Sequence, residues 1–194
     1  MALKLITAPA TEPVSTSEAK SHMRVDTTAD DTYIGTLIVA ARQNVEAHLR
    51  RALISQTWEL VLDSWPHRNT IVLPKPPLIS VTSIKYTDED AVEATMSASL
   101  YLVDTDAEPG RVVLKNGESW PSATLREASG IKVRYVAGWA NAAAVPQAIK
   151  QALLLVCGSL YENREDVLVA QGISIGRLPF GVEALLAPYR VRGW

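Results

Sequence analysis

One stretch constrains this chain more than any other, Pro146-Gln-Ala-Ile-Lys-Gln-Ala-Leu-Leu-Leu-Val-Cys-Gly-Ser-Leu-Tyr-Glu162. Ile149, Ala152, Leu153, Val156, Leu160 and Tyr161 recur at steps of three and four, the period of one helical face. Leu154, Leu155 and Cys157 widen that face until most of the circumference is apolar, and such a helix is normally covered on several sides. Pro146 suits the first helical position, where its missing N–H costs nothing. At about 1.5 Å rise per residue the segment reaches roughly 25 Å, across a small domain. Its apolar run is too short and too interrupted to span a membrane. The stretch reads as a core helix against which an earlier helix and a sheet pack. Gly158 either admits a close neighbour or loosens the helix by about 1 kcal/mol, and the sequence leaves both open.

The earlier helix is clear. Ile34, Leu37, Ile38, Ala41, Val45 and Leu49 form an apolar stripe, with Arg42, Glu46, Arg50 and Arg51 off it or at its edge, which predicts a helix from about 30 to 51. Thr28 or Asp30 can cap it, and Asp30 and Asp31 suit its positive N-terminus. Before it, Ser15-Thr16-Ser17-Glu18 is a capping-box pattern that predicts a short helix to about Arg24. Residues 1–14 read as extended and proline-punctuated.

From Gln56 the period changes to two. Trp58, Leu60 and Leu62 face one way, and Glu59, Val61 and Asp63 the other, as in a half-buried strand. Further strands are predicted at 70–73, 79–86, 92–95, 100–103, 111–114 and 131–136, separated by turn chemistry such as Pro74-Lys75-Pro76-Pro77, Asp88-Glu89-Asp90 and Asn116-Gly117. Short strands with tight turns predict a mainly antiparallel sheet, folded as a small sandwich or barrel. Residues 137–145 form a small-residue loop into the core helix. After Glu162 the apolar residues lose any sustained period, so 163–181 is expected to be a mobile or partner-ordered segment, and 182–187 one or two helical turns before Pro188. The fold class is α+β: a helical body with an inserted antiparallel β region and an extended C-terminal tail.

Nothing here assembles a catalytic site. His22, His48 and His67 are scattered, and none pairs with another histidine or a cysteine at metal-ligand spacing. Asp104-Thr105-Asp106-Ala107-Glu108 begins like a calcium loop, but the sixth and twelfth positions are Pro109 and Lys115, so it reads as a solvated acidic turn. Gly172-Ile173-Ser174-Ile175-Gly176 has the spacing of a nucleophile elbow, which makes a small hydrolase the rival of a different class; no histidine follows Ser174 to complete it. No cofactor or metal is expected. The single cysteine, Cys157, cannot close an intramolecular disulfide and reads as a small buried hydrophobe. A net charge of −2 and a pI of about 5.9 do not describe a protein that grips nucleic acid by charge. The N-terminal residues lack a basic region followed by a long apolar run, which points away from a signal peptide and towards folding in a cytoplasm.

The tail is more suggestive. Tyr189, Arg190, Arg192 and Trp194 crowd the last six residues, and Tyr, Arg and Trp dominate binding hot spots. The tail is expected to dock on another subunit or protein rather than fold back, so that losing Pro188–Trp194 would leave the fold nearly unchanged.

An ordered series of motifs then resembles the head–tail connector proteins (adaptor or head-completion proteins) of tailed bacteriophages and related prophages. It runs from Pro13-Val14 into Glu18-Ala19-Lys20-x-His22-x-Arg24-Val25-Asp26, then Arg51-Ala52-Leu53-Ile54-x-Gln56-Thr57-Trp58 and Leu73-Pro74-Lys75-Pro76-Pro77-Leu78. It closes with Tyr161-Glu162-Asn163-Arg164-Glu165 and Leu185-Leu186-Ala187-Pro188-Tyr189-Arg190. Residues 86–130 follow it only loosely. The resemblance implies a structural part of a virion and not an enzyme. It implies a single adaptor domain over 1–194, with N-terminal helices at 1–54, a β-rich insertion at 55–137, the core helix at 146–163 and a docking tail at 164–194. It further implies a ring of identical subunits, usually twelve, beneath the portal protein, contacting a stopper or tail-terminator protein on the far side. Double-stranded DNA would pass through without sequence-specific binding, and no membrane is involved. The portal-binding residues would be Leu185, Leu186, Pro188, Tyr189, Arg190, Arg192 and Trp194. The expected location is the head–tail interface of the virion, after assembly in the host cytoplasm from subunits that are monomeric when free. A stopper or tail-completion protein of the same particle is the runner-up.

Overall fold

The two periodicities in the sequence become two units, residues 11–49 with 141–194 and residues 1–10 with 50–140. The computed structural model of the chain describes residues 1–163 and 180–191. The expected mobile segment at 163–181 therefore lies, but for its ends, outside the described residues, as do Ser174, Arg192 and Trp194.

The first unit is helical: α1 (Thr16–Met23), α2 (Asp31–Leu49), α3 (Gln147–Glu162) and α4 (Phe180–Leu186). The capping box before α1 is complete, since Glu18 N–H donates to Ser15 Oγ at 3.1 Å and Ser15 N–H donates to Glu18 Oε2 at 2.7 Å. That backbone donor from Ser15 is the main reason the Glu18 carboxyl titrates below its ordinary value. α1 stops where Arg24 turns left-handed (φ 58°) and Val25 N–H reaches back to Lys20 O. α2 begins as Asp30 O accepts from Ile34 N–H.

The apolar stripe of α2 is buried throughout, from Ile34 to Leu49, and packs on Ile149, Ala152, Leu153, Val156 and Cys157 of α3. Each such side chain removed from water contributes about 1.5–3 kcal/mol. Three expectations change here. Pro146 is the residue before α3 and not its first helical residue, with ψ 137° outside the helical range. Leu155 and Leu160 are exposed, so part of the apolar circumference of α3 stays open even though α1, α2 and α4 all pack on it. Arg42 and Glu46 are buried, not at the edge: the Arg42 guanidinium donates to Glu12 at 2.7 Å and to Glu46 at 3.0 Å. Gly158 is resolved as a packing residue, since a Cβ there would sit 3.7 Å from the His22 ring at the end of α1. Tyr161 Oη donates to Asp30 at 2.6 Å beside the ring of Tyr33, which ties the end of α3 to the start of α2.

The second unit is built from β1 (Ala2–Thr7), β2 (Gln56–Leu62), β3 (Thr70–Val72), β4 (Leu78–Thr87), β5 (Glu93–Thr95), β6 (Tyr101–Asp104), β7 (Arg111–Leu114) and β8 (Ile131–Ala137). They form two antiparallel sheets, ordered β1-β2-β8-β4-β5 and β3-β7-β6. Leu60, Ile84, Ile131, Val133 and Tyr135 of the first sheet and Ile71, Val112 and Leu114 of the second share one buried cluster. Tyr135 is fully enclosed, its hydroxyl donating to Pro74 O at 2.8 Å, and burial pushes that hydroxyl's pKa well above the usual tyrosine range. The expected strands all form within two residues of their predicted ends, and the α+β expectation holds. β1 differs: residues 1–10, expected with the N-terminal helices, belong to this unit, and Ala2–Thr7 pair along β2 as an edge strand.

On the other face of the five-stranded sheet, charge replaces hydrocarbon. Glu59 lies opposite Arg134 and binds it at 2.6 Å, while Glu93 takes Lys85 at 2.6 Å and Lys132 at 3.5 Å. Stacked indoles of Trp65 and Trp120, 4.9 Å apart, hold the long connection before β8. Its hold is strengthened by the Trp120 N–H donated to Arg68 O at 3.2 Å.

The segment after α2 enters this unit tightly. Ala52, Leu53 and Ile54 are buried, Ala52 N–H donates to Pro76 O and Ser55 N–H to Trp139 O. Gly138 lies against it with φ +116°, and a Cβ there would fall 2.3 Å from Ile54 O. Gly138→Ala must strain the backbone or displace the strand, so we expect urea unfolding to show a loss of at least about 2 kcal/mol. Arg51 forks onto Glu108 with contacts of 2.8 and 2.5 Å, and these hydrogen bonds hold the Glu108 carboxyl below the usual carboxylate range. A carboxyl depressed in the folded state contributes stability that is present above its unfolded pKa, about 4.3, and lost as pH falls below it. In Glu108→Gln the acid limb of the stability–pH curve should therefore be shallower than in the parent, as measured by urea midpoints between neutral and acid pH.

Candidate docking site

The tail residues singled out by composition sit on α4 and the turn that follows it. α4 exists because Val182 and Leu186, one turn apart, are both buried on α3. Ala187–Tyr189 continue as a single 3-10 turn with Pro188 in its first positions, where no backbone donor is needed. Arg190 is extended, and Val191 folds back: its side chain is buried and its N–H donates to Leu49 O, the open carbonyl at the end of α2, at 3.1 Å.

The tail is thus fastened on both sides of a short strip. Pro188 and Arg190 are exposed, Leu185 and Tyr189 half-buried, and Leu186 has no accessible surface. Two expectations change as a result. Leu186 serves the core of its own unit and has nothing to offer a partner here. The tail does fold back as far as Val191, so removing Pro188–Trp194 would strip a buried side chain and a helix-end hydrogen bond. Arg192 and Trp194 lie outside the described residues. Sequence composition found the Tyr and Arg of the strip; the i, i+4 pair Val182/Leu186 was the signal that would have assigned Leu186 to the core.

The rest of the chemistry is structural. Asp104 accepts the Asp106 and Ala107 N–H groups and the Arg111 guanidinium; the last of these is the main cause of its lowered pKa. The acidic turn is therefore a staple between β6 and β7. Cys157 is buried, and burial pushes its thiol up, away from the reactive thiolate. His22 and His67 are exposed on α1 and in the β2–β3 connection, and His48 is half-buried near the end of α2. Among the described residues, no three His, Cys, Asp or Glu side chains are placed to hold a metal ion, and no helix is long and apolar enough to cross a membrane. Two grooves of about 440 and 450 Å³ open on the helical unit, and neither is lined by a histidine or cysteine.

Leu186→Ala should lower stability by about 2–4 kcal/mol, the cost of a cavity in a closed site, whereas Arg190→Glu should stay within about 0.5 kcal/mol of the parent. Paired urea titrations of the two variants read the difference directly.

Known structures resemble the chain along its whole length. A chain in the neck of an empty gene transfer agent particle, solved with C6 symmetry, superposes with a TM-score of 0.82 at 28% identity, covering 100% of this chain and 98% of that one. A chain in the virion of a native gene transfer agent particle gives 0.81 at 26%, with the same coverage. One in the neck of the native particle with C12 symmetry gives 0.76 at 26%, again covering 100% and 98%. No curated protein matches the chain. The family model described as head completion protein matches residues 13–190, nearly the entire sequence, and the chain belongs to that family, which is structural and not one of enzymes.

Proposed function

We propose that this protein is the adaptor of a phage-like neck: twelve copies form a ring beneath the portal protein, extend the DNA channel and offer a surface to the stopper or tail-terminator protein. The observation that carries the reading is the end-to-end likeness, at a TM-score of 0.82 and 28% identity, to a chain of a gene transfer agent neck, together with membership of the head completion family. The C12 symmetry of a related neck supports the subunit number. The virion neck is its place of action, reached after assembly in the host cytoplasm.

Within this reading the exposed strip of the tail faces the portal. Pro188 and Arg190 are presented between two fixed points, with Leu185 and Tyr189 half-buried beside them. Arg192 and Trp194 extend the same segment. Leu186 is left out, because its side chain is enclosed. The weak net charge supports passage of duplex DNA without sequence reading or strong retention.

Heads that are filled with DNA but lack this protein test the proposal. Adding the purified protein should bind it to the portal vertex and restore tail joining. The double variant Pro188→Asp with Arg190→Glu should keep its circular dichroism and melting curve while losing portal binding by at least about tenfold, as loss of a central contact does. Binding at the tail-proximal side of a vertex already carrying another ring would instead identify a stopper, and parent-like binding by the double variant would remove the tail from the portal contact.

A further inference from the structure

The β-rich unit carries its exposed hydrocarbon in an ordered way. Of its large apolar side chains that face solvent, all but Ile79 lie on the outermost strands of the two sheets or immediately beside them. At one edge of the five-stranded sheet, β1 exposes Leu5 (47%) and Ile6 (43%), and β3, an outermost strand of the three-stranded sheet, exposes Val72. At the other ends, Val92 (59%) precedes β5, and β6 exposes Leu102 (57%) and Val103. Only residues 96–100, including the 3-10 turn Ala98–Leu100, separate β5 from β6, a connection short enough to hold these last two edges near each other.

Charge divides the same way. Lys4 on β1 and Arg68 just before β3 are exposed cations at the first end. Glu89 and Asp90, in the turn leading to β5, are exposed anions at the second. One end is apolar and basic, the other apolar and acidic. They are different surfaces, and they complement each other.

We propose that these two ends are the subunit–subunit contact: the β1/β3 end of one copy packs on the β5/β6 end of the next. This rests on the adaptor reading above and deepens it by naming the surfaces. A closed ring of identical subunits needs a head-to-tail contact between two unlike patches, and an isologous pair would stop at a dimer. Strand direction agrees. In a sheet of five antiparallel strands the first and last run the same way, so a rotation carrying one copy onto its neighbour brings β1 beside β5 without reversal. The contact is made by side chains and not by a continued sheet. The register shift between Leu5 and Thr7 drops Ile6 from the ladder, and Lys4 charges the edge, two features that discourage backbone pairing.

Cross-linking tests it. Ile6→Cys and Leu102→Cys are made singly and together in the full chain, with the parent as control because Cys157 is buried. Each protein is treated with a short flexible bismaleimide, both concentrated in solution and bound to heads that lack the native protein. The double variant should give a ladder of dimers, trimers and higher species, and each single variant only monomer. Dimers from a single variant would mean a like-to-like contact and overturn the proposal, as would a double variant without a ladder on heads that have bound it. Failure of the parent to bind heads would instead count against the adaptor reading, and a ladder in concentrated solution would still support the contact.

Discussion

The seam between α2 and α3 is the interaction on which the helical unit depends, and Arg42 is its critical member. Five apolar residues of α3 meet a stripe on α2 that is dry from end to end, yet the stripe has a guanidinium buried beside it. A buried cation is tolerable only when its donors are met, and Arg42 is met from two directions, by Glu46 one turn along α2 and by Glu12 from the segment before α1. Removing one carboxylate would leave part of the buried guanidinium's donors unmet; replacing the whole group with hydrocarbon could leave stability untouched. The network therefore contributes specificity more than energy. It fixes where the chain leading into α1 must lie, and the Ser15–Glu18 capping box then starts the helix at that place.

Local rules explain why so much of this was readable in advance. The capping box, the α2 stripe, the change to period two at Gln56 and the turn residues are all decided within a few positions of sequence. What escaped needed a partner from far away. Arg42 and Glu46 looked like edge positions because helical periodicity cannot announce that Glu12 will arrive opposite them. Residues 1–14 read as extended, but their sequence does not place β1 in the sheet, because a single strand of mixed composition is fixed only when β2 supplies its hydrogen bonds. Leu155 and Leu160 are apolar and yet exposed, because apolar character does not by itself decide burial. In the tail, Tyr189 and Arg190 stand out by type alone, but the burial of Leu186 and Val191 depends on α3 and on the last carbonyl of α2.

The polar face of the five-stranded sheet has its cations paired within the sheet. Affinity for a duplex comes largely from cations that release counterions when they meet phosphates. Here Lys85 and Lys132 already share Glu93, and Arg134 already holds Glu59. A cation paired in advance gains less from a phosphate, since it must give up its carboxylate first. On the adaptor reading proposed above, a ring that DNA leaves through has reason to keep its basic residues in this state, and the near-neutral charge of the whole chain follows the same logic.

The fastening of the tail at two points bears on the portal contact proposed above. A free peptide that docks must first lose its conformational freedom, at roughly 1–2 kcal/mol for each backbone residue fixed. Between Leu186 and Val191 most of that ordering has already happened within the subunit, through side-chain burial at both ends and the hydrogen bond to Leu49 O. Pro188 removes further freedom. A strip held this way can bind with few contacts and still bind well, because little is lost on docking. In a ring the advantage repeats at every subunit, and contacts too weak to hold one copy in solution become sufficient once neighbours hold each other in place.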